Sequence, residues 1–204
     1  MELVELGLRD EALLLDLLNT TPVVEGRQRD ILADRAQAST WLHEHGATEV
    51  ELTEMVEARN VLQAVVRGAE TAAALESLLN AVALRARATK GGVRWELDTG
   101  DAAPGAVRAI LAWDALRIAS PGRLRACANP SCRLFLMDRS KPNTARWCSM
   151  ATCGNRMKAR RHHQRARTAK TDEQSLITPG DRRAAGRRHA DPRPATERRN
   201  HFRR

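Results

Sequence analysis

Residues 123–167 read RLRACANPSCRLFLMDRSKPNTARWCSMATCGNRMKARRHHQRAR. All four cysteines of the chain lie in this stretch, as Cys127, Cys132, Cys148 and Cys153, spaced C-x4-C-x15-C-x4-C. Structural Zn²⁺ takes four soft or borderline ligands in a closed tetrahedron, and two short cysteine pairs on separate knuckles supply them. The x4 loops are a small departure from the commoner C-x2-C. Two disulfides or an iron–sulfur site are the competing readings of the same residues. Disulfides need an oxidising compartment, and the opening MELVELGLRDEALLLDLLNT carries acids where a signal peptide has a basic n-region. The expectation is therefore one structural zinc in a cytoplasmic protein.

The residues around the cysteines read as a compact finger. Ala126 to Cys132 forms a first knuckle, Arg133 to Met137 a short strand, and Asp138 to Asn143 a polar, proline-containing turn. Arg146-Trp147-Cys148 returns the chain to the metal, and Ser149 caps a helix with Cys153 in its first turn. A Zn(Cys)4 centre is anionic, and the helix N-terminus together with Arg125, Arg146 and Arg156 would favour it. Knuckle, hairpin, knuckle and helix make a treble-clef-like order.

The helix that follows is unusually polar. At about 100° per residue, Arg156, Arg160, His163 and Arg167 share one stripe, and Lys158, Arg161 and Arg165 lie on the opposite side. Residues 154–170 hold seven Arg or Lys and no Asp or Glu. Apolar burial cannot hold such a helix along its length, so its later turns should stand clear of the finger. Self-repulsion without an interleaved acid points to a polyanionic partner. Double-stranded DNA is the expected partner, contacted by Asn155, Arg156, Lys158, Arg160, Arg161, His163, Arg165 and Arg167. Asn155 either reaches a base edge or braces the metal loop. RNA or an acidic protein surface would meet the same charges; sequence-specific RNA readers usually add stacking aromatics, and the finger offers only Phe135 and Trp147.

CSMATCGNRMKARRHHQRAR resembles the CGNR zinc-finger family, whose signature stands at Cys153-Gly154-Asn155-Arg156. RLRACANPSC and RWCSMATCGNR match the family pattern closely. Asp16, Asn19 and Thr20 occupy its Asp-x-x-Asn-Thr motif, so the resemblance spans roughly residues 1–168. It implies an N-terminal ABATE domain ahead of the finger and a stress-induced transcription regulator.

The net charge of +9 hides a division. Residues 1–120 hold 12 basic against 19 acidic side chains, and residues 121–204 hold 22 against 6. An acidic body with a basic end suits a nucleic-acid binder whose body does not itself cling to phosphate. No apolar run is long enough to span a membrane.

Residues 1–120 read mostly as helices, after a short strand at Met1 to Leu8. Leu13, Leu14, Leu17 and Leu18 give one apolar face, ended by Asn19-Thr20-Thr21-Pro22. Asp34 with Gln37 and Thr48 with Glu51 make capping-box patterns for two further helices, the first closed by Gly46. Leu75, Leu78, Leu79 and Val82 mark another, Val93, Trp95 and Leu97 a strand, and Val107 to Leu116 a last helix before the hinge Ser120-Pro121-Gly122. No catalytic constellation emerges. His43 and His45 are two apart on a helix and diverge, reading as surface histidines, and Asp16 and Asn19 suit capping or local hydrogen bonding. Residues beyond Lys170 have few large apolar side chains and read as a disordered basic tail.

The sequence thus predicts an α+β protein that is not an enzyme. Its parts are a mainly helical domain at 1–120, a treble-clef-like finger with a basic helix at 123–168, and a tail at 169–204. The helical domain would fold by itself and sense a small-molecule signal or form a homodimer.

Overall fold

A computed structural model describes residues 8–176. They fall into two compact units divided between Lys158 and Ala159. The expected strand at Met1 to Leu8 lies outside the described residues up to Gly7, and Leu8 itself begins a helix.

In the first unit, three helices make the core: α1 (Leu8–Leu18), α3 (Leu52–Val66) and α5 (Pro104–Ala119). The four leucines of α1 are all buried, as the i, i+1, i+4, i+5 spacing requires, and they meet Met55, Ala58 and Leu62 of α3 and Ala106, Ala109 and Ile110 of α5. Helix α2 (Arg35–Glu44) begins where Asp34 accepts a hydrogen bond from the Gln37 amide at 2.9 Å and ends before Gly46, whose φ of +67° suits a residue without a Cβ. The Thr48–Glu51 capping box is present and leads through a 3₁₀ turn into α3. Glu51 also accepts from the Gly105 amide at 2.8 Å and so caps α5.

Other elements depart from expectation. Helix α4 is one turn, Glu76–Leu79, and Val82 lies beyond it. The strand around Trp95 is β4 (Gly92–Asp98), and its antiparallel partner β3 (Ala83–Thr89) had no signal because ALRARAT alternates small and charged residues. A two-residue pair of strands, β1 (Val23–Val24) and β2 (Arg27–Gln28), closes through Glu25 and Gly26, both at positive φ.

The finger and the helical body share one core. Strands β5 (Leu124–Ala126) and β6 (Phe135–Met137) pair antiparallel, β6 packs on α1 and β5 on α3. Phe135, 2% exposed, belongs to the same buried cluster as the α1 leucines. The expected strand at Arg133 begins two residues later, at Phe135. A body at 1–120 that folds without the finger does not follow from this packing.

Helix α6 (Asn155–Leu176) follows the finger and crosses from the first unit into the second. It continues into the stretch read as tail, because Thr171 to Leu176 contains neither Gly nor Pro to stop it. The rest of that tail, 177–204, lies outside the described residues.

Candidate metal centre and basic helix

The finger brings Cys127, Cys132, Cys148 and Cys153 together, with all four Sγ atoms within 4.8 Å of one another. The Cys132–Cys148 and Cys148–Cys153 sulfurs are each 3.7 Å apart, far beyond a disulfide bond of about 2.05 Å. A tetrahedron with Zn–S bonds of about 2.3 Å has edges of about 3.8 Å, so the spacing matches four thiolates around one ion. Four sulfur donors fill every position, which makes the zinc structural and leaves no place for an activated water.

Backbone geometry explains why the x4 loops serve. The first knuckle is an Asx turn: the Asn129 side-chain oxygen accepts from the Ser131 amide at 3.1 Å, and the Cys132 amide donates to the Asn129 carbonyl at 2.8 Å. The Ala128 amide donates to the Arg146 carbonyl at 2.8 Å, tying the two knuckles together. Ser149 caps the second knuckle by accepting from the Thr152 amide, and Met150–Gly154 makes a wide π-type turn. Cys153 therefore sits in that turn, just ahead of α6 rather than in its first turn. A Cβ on Gly154 would press on Met150 Sδ at 2.8 Å and on the Trp147 ring at 3.3 Å, which accounts for the glycine of the Cys-Gly-Asn-Arg run.

Groups around the sulfurs shape their charge. Asn129, wholly buried, donates its amide to Cys153 Sγ at 3.3 Å, and the Cys148 amide approaches Cys127 Sγ at 3.5 Å. Burial pushes the Cys132 and Cys148 thiols up. Burial opposes ionisation of Cys153 too, but the hydrogen bonds from Asn129 and the neighbouring thiols outweigh it and hold that thiol below its ordinary range. Asn129 thus positions and polarises a metal ligand.

Asp138 organises the rest of the finger. Its carboxylate accepts from Ser140 Oγ at 2.6 Å, the Ser140 amide at 2.9 Å, the Ala145 amide at 2.7 Å and Arg125 at 3.2 Å. These bonds, the Ser140 hydroxyl foremost, hold its carboxyl below the usual range. Arg125, expected beside the metal, spends its guanidinium on this turn and on Asn143.

Asn155 is exposed, and its side chain donates to the Ala151 carbonyl at 3.2 Å. Arg156 and Lys158 are exposed on the same unit, and Arg160, Arg161, His163, Arg165 and Arg167 are exposed on the part of α6 that forms the second unit. The His162 and His163 rings meet edge to face at 6.0 Å.

In the body, Asp16 and Asn19 make long-range contacts instead of the local ones expected, and Thr20 makes both kinds, donating its hydroxyl to the Leu17 carbonyl at 2.8 Å. Asn19 clamps the backbone of Phe135, accepting from its amide at 2.7 Å and donating to its carbonyl at 3.3 Å. Thr20 accepts from buried Arg59 at 3.2 Å, and Arg59 also grips Asp30 through two bonds, at 2.6 and 2.9 Å. Asp16 pairs at 3.2 Å with His45, which is no ordinary surface histidine: it stacks on Trp41 with ring centroids 4.1 Å apart. A polar cleft of about 590 Å³ opens here, lined by Leu13, Asp16, His43, Glu44, His45 and Arg108 among others. Among the described residues, no helix is long and apolar enough to cross a membrane.

The ABATE family model, described as "Putative stress-induced transcription regulator", matches residues 11–122. The CGNR zinc finger model matches residues 123–166. No curated protein matches the chain.

Proposed function

The chain belongs to the ABATE family and carries a CGNR zinc finger behind that domain, and on that premise we propose that it regulates transcription by binding double-stranded DNA through α6. The observation that carries this reading is the exposure of every side chain from Lys158 to Ala169 in a stretch with no acid between Gly154 and Lys170. Zinc, when bound, cross-links the two knuckles from which α6 departs. Arg156, Lys158, Arg160, Arg161, Arg165 and Arg167, with His163 among them, supply phosphate contacts and speed encounter with the duplex by long-range attraction. Asn155 is committed to Ala151 and so acts on DNA through the shape of the loop. The acidic body repels phosphate and leaves the helix as the contact surface.

Duplex DNA is favoured over RNA by the state of the aromatics. Phe135 is buried under Arg67, 4.2 Å from its centroid, and Arg146 covers Trp147 at 5.3 Å. Neither ring offers an open platform on which an unstacked base could lie. The cleft beside Asp16 and His45 is the place where the body would take up a small polar signal molecule. A nucleoid-associated location follows from the DNA partner.

The test is a salt titration of binding to duplex DNA, RNA and a polyanionic control. Affinity for duplex should fall steeply with salt, and Arg160→Ala with Arg161→Ala should flatten the log–log slope by roughly one unit per lost contact. Charge reversal of both arginines that left affinity and slope unchanged would overturn the reading.

A further inference from the structure

Strands β3 and β4 form a hairpin whose two faces differ completely. Leu84, Ala86, Ala88, Val93, Trp95 and Leu97 share one face, paired Leu84 with Leu97, Ala86 with Trp95 and Ala88 with Val93. The other face carries Arg85, Arg87, Arg94 and Glu96. Val93 is 65% exposed and Trp95 44%. A two-stranded hairpin with a bare apolar face is marginal in water, and its unpaired edges are templates for another strand.

The two edges are not equivalent. The sheet has two strands only, so both outer edges lack a partner strand among the described residues. The two-residue turn Lys90-Gly91 makes Thr89 and Gly92 the hydrogen-bonded closing pair. Alternation then points the backbone amides and carbonyls of Val93, Trp95 and Leu97 to the outer edge of β4. The strand reads Gly-Val-Arg-Trp-Glu-Leu-Asp, with Trp95 at its centre. Turned about Trp95 against a second copy, it sets Arg94 opposite Glu96 twice, Val93 opposite Leu97 twice, and Trp95 beside its equivalent. The same operation on β3 about Ala86 would set Arg85 against Arg87, like charge against like.

We propose that two copies of this chain pair β4 to β4, antiparallel about Trp95, to make a four-stranded sheet and a symmetric dimer. Charge selects the edge. Arg85 pairs with Asp98, and Arg87 reaches Glu96 at 2.5 Å, whereas Arg94 has no ionic partner within the chain among the described residues. In the dimer Arg94 takes the second carboxylate oxygen of the opposing Glu96, at non-hydrogen-bonded positions where cross-strand side chains lie closest. The arginines of β3 then flank the outer edges and stop further strand addition. The contact is isologous, as a two-fold dimer requires. It stands independently of DNA binding, because no residue of α6 takes part.

Sedimentation equilibrium of the full-length, zinc-loaded chain tests it, with far-UV circular dichroism to check folding. The wild-type chain should dimerise. R94E, which breaks no ion pair within the chain among the described residues, and E96R should each raise the dimer dissociation constant about tenfold or more. An equimolar mixture of the two variants should recover dimer, as should the R94E/E96R double variant, because each restores opposite charges across the two-fold. A wild-type chain monomeric on the order of 100 µM would overturn the proposal. So would R94E dimerising as well as wild type, or mixed variants that stay apart.

Discussion

The helical body and the finger are held together by different physics. In the body, α1, α3 and α5 bury Leu14, Leu17, Met55 and Leu62 completely, and the attraction is non-directional, scaling with apolar area. In the finger, residues 123–154 bury few large apolar side chains, and order comes from directional bonds. Four sulfurs sit at tetrahedral spacing, Asn129 fixes one knuckle, and Asp138 gathers a turn through four donors. A core of the first kind tolerates volume-conserving exchanges, because only area and shape count. A finger of the second kind loses its geometry with a single ligand. The two meet at Phe135, whose ring sits in the body's core while its backbone is clamped by Asn19.

The largest effect expected is loss of the metal. Cys153→Ser, or removal of zinc by a strong chelator, should unfold the finger, since binding and folding are coupled in so small a module. Amide exchange should rise across residues 123–154 while α3 and α5 keep most of their protection. Unchanged protection in the finger of a zinc-free protein would erase the distinction between the two regions.

A middle-sized effect should come from the clamp between them. Asn19→Ala leaves the Phe135 amide and carbonyl without partners and should lower stability by about 1–3 kcal/mol. Urea unfolding followed separately by tryptophan fluorescence and by zinc release should then split into two transitions. If they stay coincident at the wild-type midpoint, the junction does not depend on Asn19.

The smallest effect lies inside the finger. Because the folded state depresses the Asp138 carboxyl, its contribution is present above the ordinary carboxylate range of about pH 4 and is lost as pH falls through the folded value. Asp138→Asn should therefore be less stable than wild type at neutral pH, with the difference shrinking on acidification. A difference that is flat with pH would mean that the carboxylate charge is not what holds the turn.

Much of this was legible from local pattern. The capping residues Asp34, Thr48 and Ser149 declare helix or turn starts because a side-chain oxygen reaches an amide two or three residues on. Strand β4 announced itself through Val93, Trp95 and Leu97, but β3 did not, since Ala and Arg on a solvated hairpin carry no burial pattern. The same limit hid β5, three residues long and stable only against β6. Nothing in the sequence around Arg59 marks it as buried, and only the approach of Asp30 and Thr20 makes that burial tolerable.

The sequence by itself determined the metal ligands, the leucine face of α1 and the acid-free helix, because each depends on residues close together along the chain. Tertiary structure alone decided that the finger and the body share a core, that Asn19 reaches Phe135 across the fold, and that Asp16 meets His45. Those contacts join residues 116 and 29 positions apart. Their partners are selected by how helices pack and not by any spacing in the chain. A side chain such as Asn19, which can satisfy itself locally at a helix end, does not show in the sequence which distant backbone it will bind.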